Sequence, residues 1–395
     1  MLALASQALA QQHPDLTPAN TDSLGPSRQA VAPASTPQSQ AAQAPKPADA
    51  RLTRWLDLQT ITIYARSRFI RNSGGVTTIR QLQHKEAIRG RLKFDRPGNY
   101  SLNFGVFSGK TFTSSWDATG WGTGDAQRYA ALKQLYVAAR PVRGVELQYG
   151  GLYIIRGEST EITTYDEDGF IVGQRASLRR PDKAFFDEIS LTFANLGDTS
   201  TPNVLKRFRR LNRVNYRHFL ADKRIGKRAA VSVDYTNQSG RETIREAISV
   251  TMPQLRLVDL VRLENYQRVT GQPASGLAVY GEKSIRRRLV LGAGYARIDR
   301  VFGGLNGDRY GIGNRLFVST SLPIGSGFTL QGYATRAIGA DFPVPLGTRF
   351  DVVVSYNILR TLQRAPLFHP TLSPLAVDPI RRRPGGIPSR FNLTG

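Results

Sequence analysis

Leu82-Gln83-His84-Lys85-Glu86-Ala87-Ile88-Arg89-Gly90-Arg91-Leu92-Lys93-Phe94 reads with a period of two. Leu82, Ile88, Leu92 and Phe94 fall on one side, and Gln83, Lys85, Arg89, Arg91 and Lys93 on the other. Successive side chains of a strand point to opposite faces, so this is a β-strand with one apolar and one basic face.

The same period runs from Leu52 to about Gln363. Leu102, Phe104 and Val106 alternate with Ser101, Asn103 and Gly105; Val145, Leu147, Tyr149, Tyr153 and Ile155 with Glu146, Gln148, Gly150 and Arg156. Phe350, Val352, Val354, Tyr356 and Ile358 alternate with Asp351, Ser355 and Asn357. Short turns, as at Asp95-Arg96-Pro97-Gly98-Asn99 and Arg140-Pro141-Val142-Arg143-Gly144, alternate with longer breaks at 115–127, 197–212, 301–308 and 339–347. Short turns at one end and long loops at the other mark a transmembrane antiparallel up-and-down β-barrel.

Sixteen strands are expected, at 53–71, 79–95, 99–114, 127–141, 144–166, 169–180, 184–196, 213–224, 227–237, 241–252, 255–269, 275–285, 287–300, 309–323, 326–338 and 347–362. An even count suits a closed single-chain barrel. The sixth strand needs a hairpin around Glu167-Asp168-Gly169, which keeps short and long turns in phase and puts both ends on the short-turn, periplasmic side. Asp259 sits on the otherwise apolar face of the eleventh strand, and 203–212 reads as a short basic loop helix. A propeller would repeat every 40–45 residues or so, and no such repeat occurs. A soluble sandwich has little need of strands this long.

Composition agrees. A chain of 395 residues would ordinarily make two or three domains, but one closed sheet absorbs this length. No cysteine is present, which removes disulfides, a thiol nucleophile and thiolate metal sites; four histidines leave little for another metal centre. No run approaches the roughly 20 apolar residues of a membrane helix.

Both ends differ from the middle. Residues 1–10 resemble the back half of a secretory signal peptide, with Ala8-Leu9-Ala10 as a small-x-small cleavage site. Residues 11–51 are an Ala/Pro/Gln linker expected to be disordered, 52–363 the barrel, and 364–395 a Pro/Arg-rich tail containing Arg381-Arg382-Arg383.

The formal charge is +24, and residues 51–363 hold a net +21 of it. If the apolar face meets lipid, the polar face lines the interior. Arg66, Arg68, Lys85, Arg89, Arg91 and Lys93 then point inward, and later strands add Arg156, Arg175, Arg179, Arg245 and Arg315. A cationic ladder between low-dielectric walls lowers the energy of an anion. Inward Glu146, Glu158, Glu188, Asp234 and Asp351 are available to pair with part of it. Lys206, Arg207, Arg209 and Arg210 make a loop cluster suited to lipopolysaccharide phosphates or to an infolded constriction. Bases that alternate with apolar residues along strands suit nucleic acid poorly. Trp55, Tyr100, Tyr129, Tyr136, Tyr310 and Tyr356 lie near strand ends, where aromatic girdles form.

Catalysis is hard to assemble. His13 and His369 lie in the tails, leaving His84 and His218; His84 with a neighbouring-strand serine such as Ser101 is a pair to weigh, and no spacing motif supports it. Gly303-Gly304-Leu305-Asn306-Gly307 and Gly292-Ala293-Gly294 lack the helix and Lys-Ser/Thr of a phosphate loop. No enzyme and no cofactor is expected.

Leu132-Lys133-Gln134-Leu135-Tyr136-Val137-Ala138-Ala139-Arg140-Pro141, then Val145-Glu146-Leu147-Gln148-Tyr149-Gly150, resembles the bacterial outer-membrane porin superfamily, and the basic lumen its alginate-export and phosphate-porin branches. The resemblance implies an outer-membrane location, contact with outer-membrane lipids and assembly machinery, and a homo-trimer. Porins usually finish in a strand with a terminal aromatic that the machinery reads; here Val354-Ser355-Tyr356-Asn357-Ile358 would be an internal substitute.

The expected function is passive diffusion of small anionic or polar solutes, among them acidic saccharides. The alternative is a plugged barrel that binds cell-envelope partners. N-terminal sequencing of the membrane-associated protein is expected to start at Gln11; a mature end that keeps Met1 would contradict the signal segment.

Overall fold

The computed structural model describes residues 55–158, 170–179, 185–252, 255–285, 288–299, 312–325, 327–339 and 346–362. The signal segment, the linker, the C-terminal tail, the expected 167–169 turn, the 303–307 stretch and Tyr310 lie outside them.

The strands are β1 (Leu56–Arg71), β2 (Thr77–Lys93), β3 (Tyr100–Ser108), β4 (Asp117–Gly122), β5 (Ala130–Ala139), β6 (Val145–Tyr153), β7 (Phe170–Arg179), β8 (Glu188–Asn195) and β9 (Tyr216–Ile225). They continue as β10 (Ala229–Gln238), β11 (Arg241–Thr251), β12 (Leu260–Arg268), β13 (Ala274–Ile285), β14 (Leu289–Ile298), β15 (Gly313–Gly325), β16 (Phe328–Ile338) and β17 (Thr348–Asn357). Among the described residues these seventeen form one sheet, with every pairing antiparallel. Sixteen make the wall of a closed barrel, and β4 is an insertion beside β2. Closure comes from β1, which pairs with β17 from Thr62↔Asn357 to Arg71↔Thr348. The expected sixth strand is present as β7.

Burial is inverted relative to a soluble protein. In β2, Gln83 and Lys85 are buried while Ile88 and Leu92 are exposed. Arg66, Arg245 and Arg315 are among the largest fully buried side chains, whereas Ile63, Val137, Leu147, Leu263, Leu316 and Phe350 are exposed. An apolar exterior around a polar interior is stable only where lipid surrounds the wall. Trp55, Phe94 and Tyr100 are exposed at the short-turn end, where Phe328 stacks on Tyr356 at 4.3 Å. Trp121 and Tyr129 are exposed at the long-loop end. Tyr136 does not join a girdle: it is buried in phase with Gln134 and Ala138, in a cluster with Leu152, Ile171 and Tyr216.

Four expected boundaries are corrected. The third strand stops at Ser108 rather than residue 114. Gly109 (φ 89°) turns the chain away, and a side chain there would strike the backbone of Ser114 and Ser115. The long-loop half of β2 pairs instead with β4, through Gln81↔Gly122, Gln83↔Ala118 and His84↔Asp117. The fifth strand ends at Tyr153 rather than 166. The eleventh begins at Leu260; Asp259 just before it keeps backbone bonds to Met252 and Glu282, and its carboxylate accepts from Lys283 Nζ at 2.6 Å. The last ends at Asn357, since β16 begins at Phe328 and offers nothing further to pair; a short helix, Ile358–Leu362, follows. The expected loop helix is present as α1 (Val204–Arg207) with a 3-10 turn over 208–210.

Aromatic rings lie over glycines on the inner wall of β12–β15. The Tyr266 ring covers its partner Gly276, and the Phe317 ring covers Gly294. Tyr280 stacks on Phe317 at 6.0 Å. The ring supplies the packing that the glycine lacks, while the glycine lets the sheet curve. A Cβ at Gly276 would overlap the Tyr266 ring, so Gly276→Val should destabilise the barrel by roughly 1–3 kcal/mol. Gly281→Ala, where a Cβ meets only ordinary contacts, should change little. Urea titration of the folded fraction in detergent micelles separates the two.

Candidate functional site

The inward faces of β1 and β2 carry the densest charge. Register places Tyr64 opposite Lys85, Arg66 opposite Gln83 and Thr60 opposite Arg89. Arg66 donates from Nε to Gln83 Oε1 at 2.7 Å, and its guanidinium carbon lies 3.8 Å over the Trp116 ring. Lys85 Nζ lies 5.0 Å from the Tyr64 ring centroid and 5.8 Å from that of Trp116. Two cations thus lie within about 6 Å of one indole, an attraction that desolvation strengthens.

Trp116 comes from the segment between β3 and β4, which packs against the inner face of the wall. Ser115 and Asp117 are fully buried, and Lys133 Nζ donates to Ser114 O at 2.6 Å. Asp117 accepts from the amides of Gly109 and Tyr129, which ties both ends of the segment together. A second segment meets it: Phe112 N donates to Thr199 O at 2.7 Å, and the Arg207 guanidinium lies 3.9 Å over the Phe112 ring. Phe112, Phe107, Phe170 and Val204 share one apolar cluster.

Part of the expected ladder is held by acids. Arg68 bonds Asp351 at 3.2 Å, and Arg349 bonds the same carboxylate at 2.9 Å. Arg91 pairs with Asp57 at 2.7 Å; Arg179 lies 3.2 Å from Glu188 and 3.6 Å from Glu146. Arg245 donates to Thr236 Oγ1 at 2.8 Å and lies 3.8 Å from Asp234, which also meets His218 at 2.8 Å. Glu158 accepts from Ser249 Oγ at 2.6 Å. Others rest on neutral acceptors: Arg175 on Thr192, Gln148 and the Tyr153 carbonyl, and Arg315 on the carbonyls of Ile312 and Leu346. Arg156 is half-buried beyond the end of β6.

Arg89 and Lys93 differ. Both are half-buried on the inward face of β2, and neither has an acidic partner among the described residues. Arg89 lies 5.1 Å over the Phe107 ring.

The loop cluster divides. Lys206 and Arg209 are exposed and Arg210 is half-buried. Arg207 is corrected as a phosphate ligand: it is 3% exposed and donates to the carbonyls of Leu196, Asp198 and Thr201. Burial pulls its pKa down to about 10 against the opposing Asp198 charge, so it stays charged at neutral pH. The His84–Ser101 pair is also corrected. Ser101 sits opposite Lys93, nine residues along β2 from His84, or roughly 30 Å. His84 instead bonds Glu86 at 2.8 Å and faces the Gln127 carbonyl at 3.3 Å.

Sequence reasoning missed Lys133, Arg349 and Trp116. Lys133 escaped because a register shift between Gly105 and Val106 lets Lys133 and Gln134 both be buried, which breaks the period. Arg349 was accessible, being in phase with Asp351. Trp116 had no periodic signal, since it lies outside every strand.

Among solved structures, the chain is similar to a mutant of Rh. blastica porin at TM-score 0.49 and 12% identity, over 76% of this chain and 99% of that one. It is also similar to a triple mutant of Rhodopseudomonas blastica porin at TM-score 0.48 and 11% identity, over the same shares. No protein-family model matches the chain, and no curated protein does.

Removing one partner of a buried charge cluster leaves the other charges uncompensated. Asp351→Asn should therefore destabilise the barrel by roughly 3–5 kcal/mol, and Arg68→Gln by less, because Arg349 still faces Asp351. Thermal unfolding in detergent, followed by strand circular dichroism, measures both.

Proposed function

We propose that the chain is a porin-like outer-membrane channel that passes small anionic or polar solutes, acidic saccharides included, by diffusion. One observation carries this reading: the inward row Lys85, Arg89, Arg91 and Lys93 along β2, in which Arg89 and Lys93 have no acidic partner among the described residues. Lys85 and Lys93 are eight residues apart, about 26 Å at roughly 3.3 Å per residue, close to the height of the apolar belt of such barrels. Within that row, Arg89 and Lys93 supply the charge that no acid offsets among the described residues, and such charge favours anions in the passage.

Arg66, Arg68, Arg156, Arg175, Arg179, Arg245 and Arg315 complete the lining. Those held by carboxylates brace the wall, and those on neutral acceptors keep their field. The segment that carries Trp116 inward narrows the passage beside the cations, and Phe112 anchors that segment in the buried apolar cluster. Exposed Lys206 and Arg209, with Arg210, suit lipopolysaccharide phosphates at the long-loop end, and both chain ends lie on the periplasmic side. The signal segment and linker at 1–51 belong to export and tethering, and the porin resemblance extends to assembly as a trimer.

Planar-bilayer recording tests the reading. The purified protein should give an open, anion-selective current. Arg89→Gln combined with Lys93→Gln should lower the anion-over-cation permeability ratio about twofold or more, with the barrel still folded. A folded, inserted protein that conducts nothing would favour a plugged binding barrel instead.

A further inference from the structure

The outer wall of β13–β17 is not uniformly convex. Two neighbouring cross-strand rows meet there. One runs Gly281↔Ala293↔Val318↔Ala334↔Phe350, and the next runs Lys283↔Leu291↔Thr320↔Gly332↔Val352. Small residues at Gly281, Ala293 and Gly332 sink the floor of a groove, and Leu257, Leu291 and Phe350 rise around it. Its volume is about 750 Å³ and its lining is almost wholly apolar. Leu257 is 86% exposed at the rim of the groove, and the carbonyl of nearby Leu255 accepts from Lys283 Nζ.

The end of the groove nearest the short turns is basic. Arg256 stands between the exposed Leu255 and Leu257, and Arg288 closes the β13–β14 turn. Both are exposed, and neither has an acidic partner among the described residues. Lys283 is neutralised by Asp259. Arg286 and Arg287 precede Arg288 in the chain, outside the described residues. An apolar trough whose short-turn end adjoins two turns, each with an exposed arginine, matches an amphiphile with an apolar tail and an anionic head. Guanidinium groups bind phosphate with two parallel hydrogen bonds.

We propose that this groove is a binding site for one anionic phospholipid of the leaflet on the short-turn side, with an acyl chain in the trough and its phosphate held by Arg256 and Arg288. The inference rests on the reading of the wall as a lipid-facing barrel. It adds a place where the wall selects a lipid by its charge, away from the lumen.

Native mass spectrometry of the detergent-purified full chain, titrated with phosphatidylglycerol or phosphatidylcholine, tests it. One phosphatidylglycerol should be retained at least tenfold more tightly than phosphatidylcholine. Arg256→Gln with Arg288→Gln should erase that preference. Gly281→Leu fills the trough without a close contact, since a Cβ there lies 3.8 Å from the nearest atom, Val258 Cγ2. It should abolish retention of both lipids while the barrel stays folded, as judged by heat-modifiable gel mobility. Equal retention of the two lipids, or retention unchanged by Gly281→Leu, would overturn the proposal. So would a lipid-free dimer that Gly281→Leu disperses, because a second copy would then occupy the groove. Insertion of the wild-type chain into phosphatidylcholine bilayers, with conductance, is read separately. Failure there removes the channel reading, whereas failure of lipid retention alone removes only this site.

Discussion

The hydrogen bonding of β1 with β17 is the constraint from which the rest follows. Inside a bilayer no water satisfies a free backbone amide, so a sheet can cross only if it has no edge. Closure forces each strand to show one face to lipid and one to the interior. The basic residues, intolerable on the lipid side, are thereby gathered on the other. Their number obliges the interior to hold acids as well, and Asp57, Glu146, Asp234 and Asp351 serve that role.

The interior is more than an inverted surface. Arg66, Lys85 and Trp116 form a cluster that no single strand encodes, and Lys133 draws the Ser114 carbonyl down onto the wall. The segment between β3 and β4 leaves the wall at Gly109 and is fixed inward by bonds to Asp117. A cation over an indole is attractive yet keeps its charge, so the arrangement packs the inward segment without neutralising Arg66. Glycine–aromatic pairs such as Gly276 with Tyr266 let the opposite half of the wall curve while it stays packed.

Much of this was legible in the chain. The period of two named the strands, and alternating turn lengths supported sixteen of them, including the one now seen as β7. The period of two puts Lys85, Arg89, Arg91 and Lys93 on one face of β2, opposite the exposed Ile88 and Leu92. Boundaries were less legible where the chain leaves the ladder without losing its period. Residues 109–114 looked like more strand, yet Gly109 diverts them inward. Tyr136 looked like a girdle residue because proximity to a strand end does not fix which face a side chain occupies.

Local periodicity is enough to set strand identity, the two-faced wall and the sign of the interior charge, because each depends on residues one or two apart. The partners of those charges depend on residues far apart in the chain. Arg68 meets Asp351 only because the barrel closes, and Arg66 meets Trp116 only because a segment folds inward. Arg207 shows the limit most clearly: in the sequence it is one of four loop cations, and in the fold three carbonyls and the Phe112 ring hold it inside. Sequence alone therefore determined what kind of wall this is and how it is charged. Tertiary structure decided which of those charges remain unpaired, since pairing across a closed sheet is set by register and not by spacing.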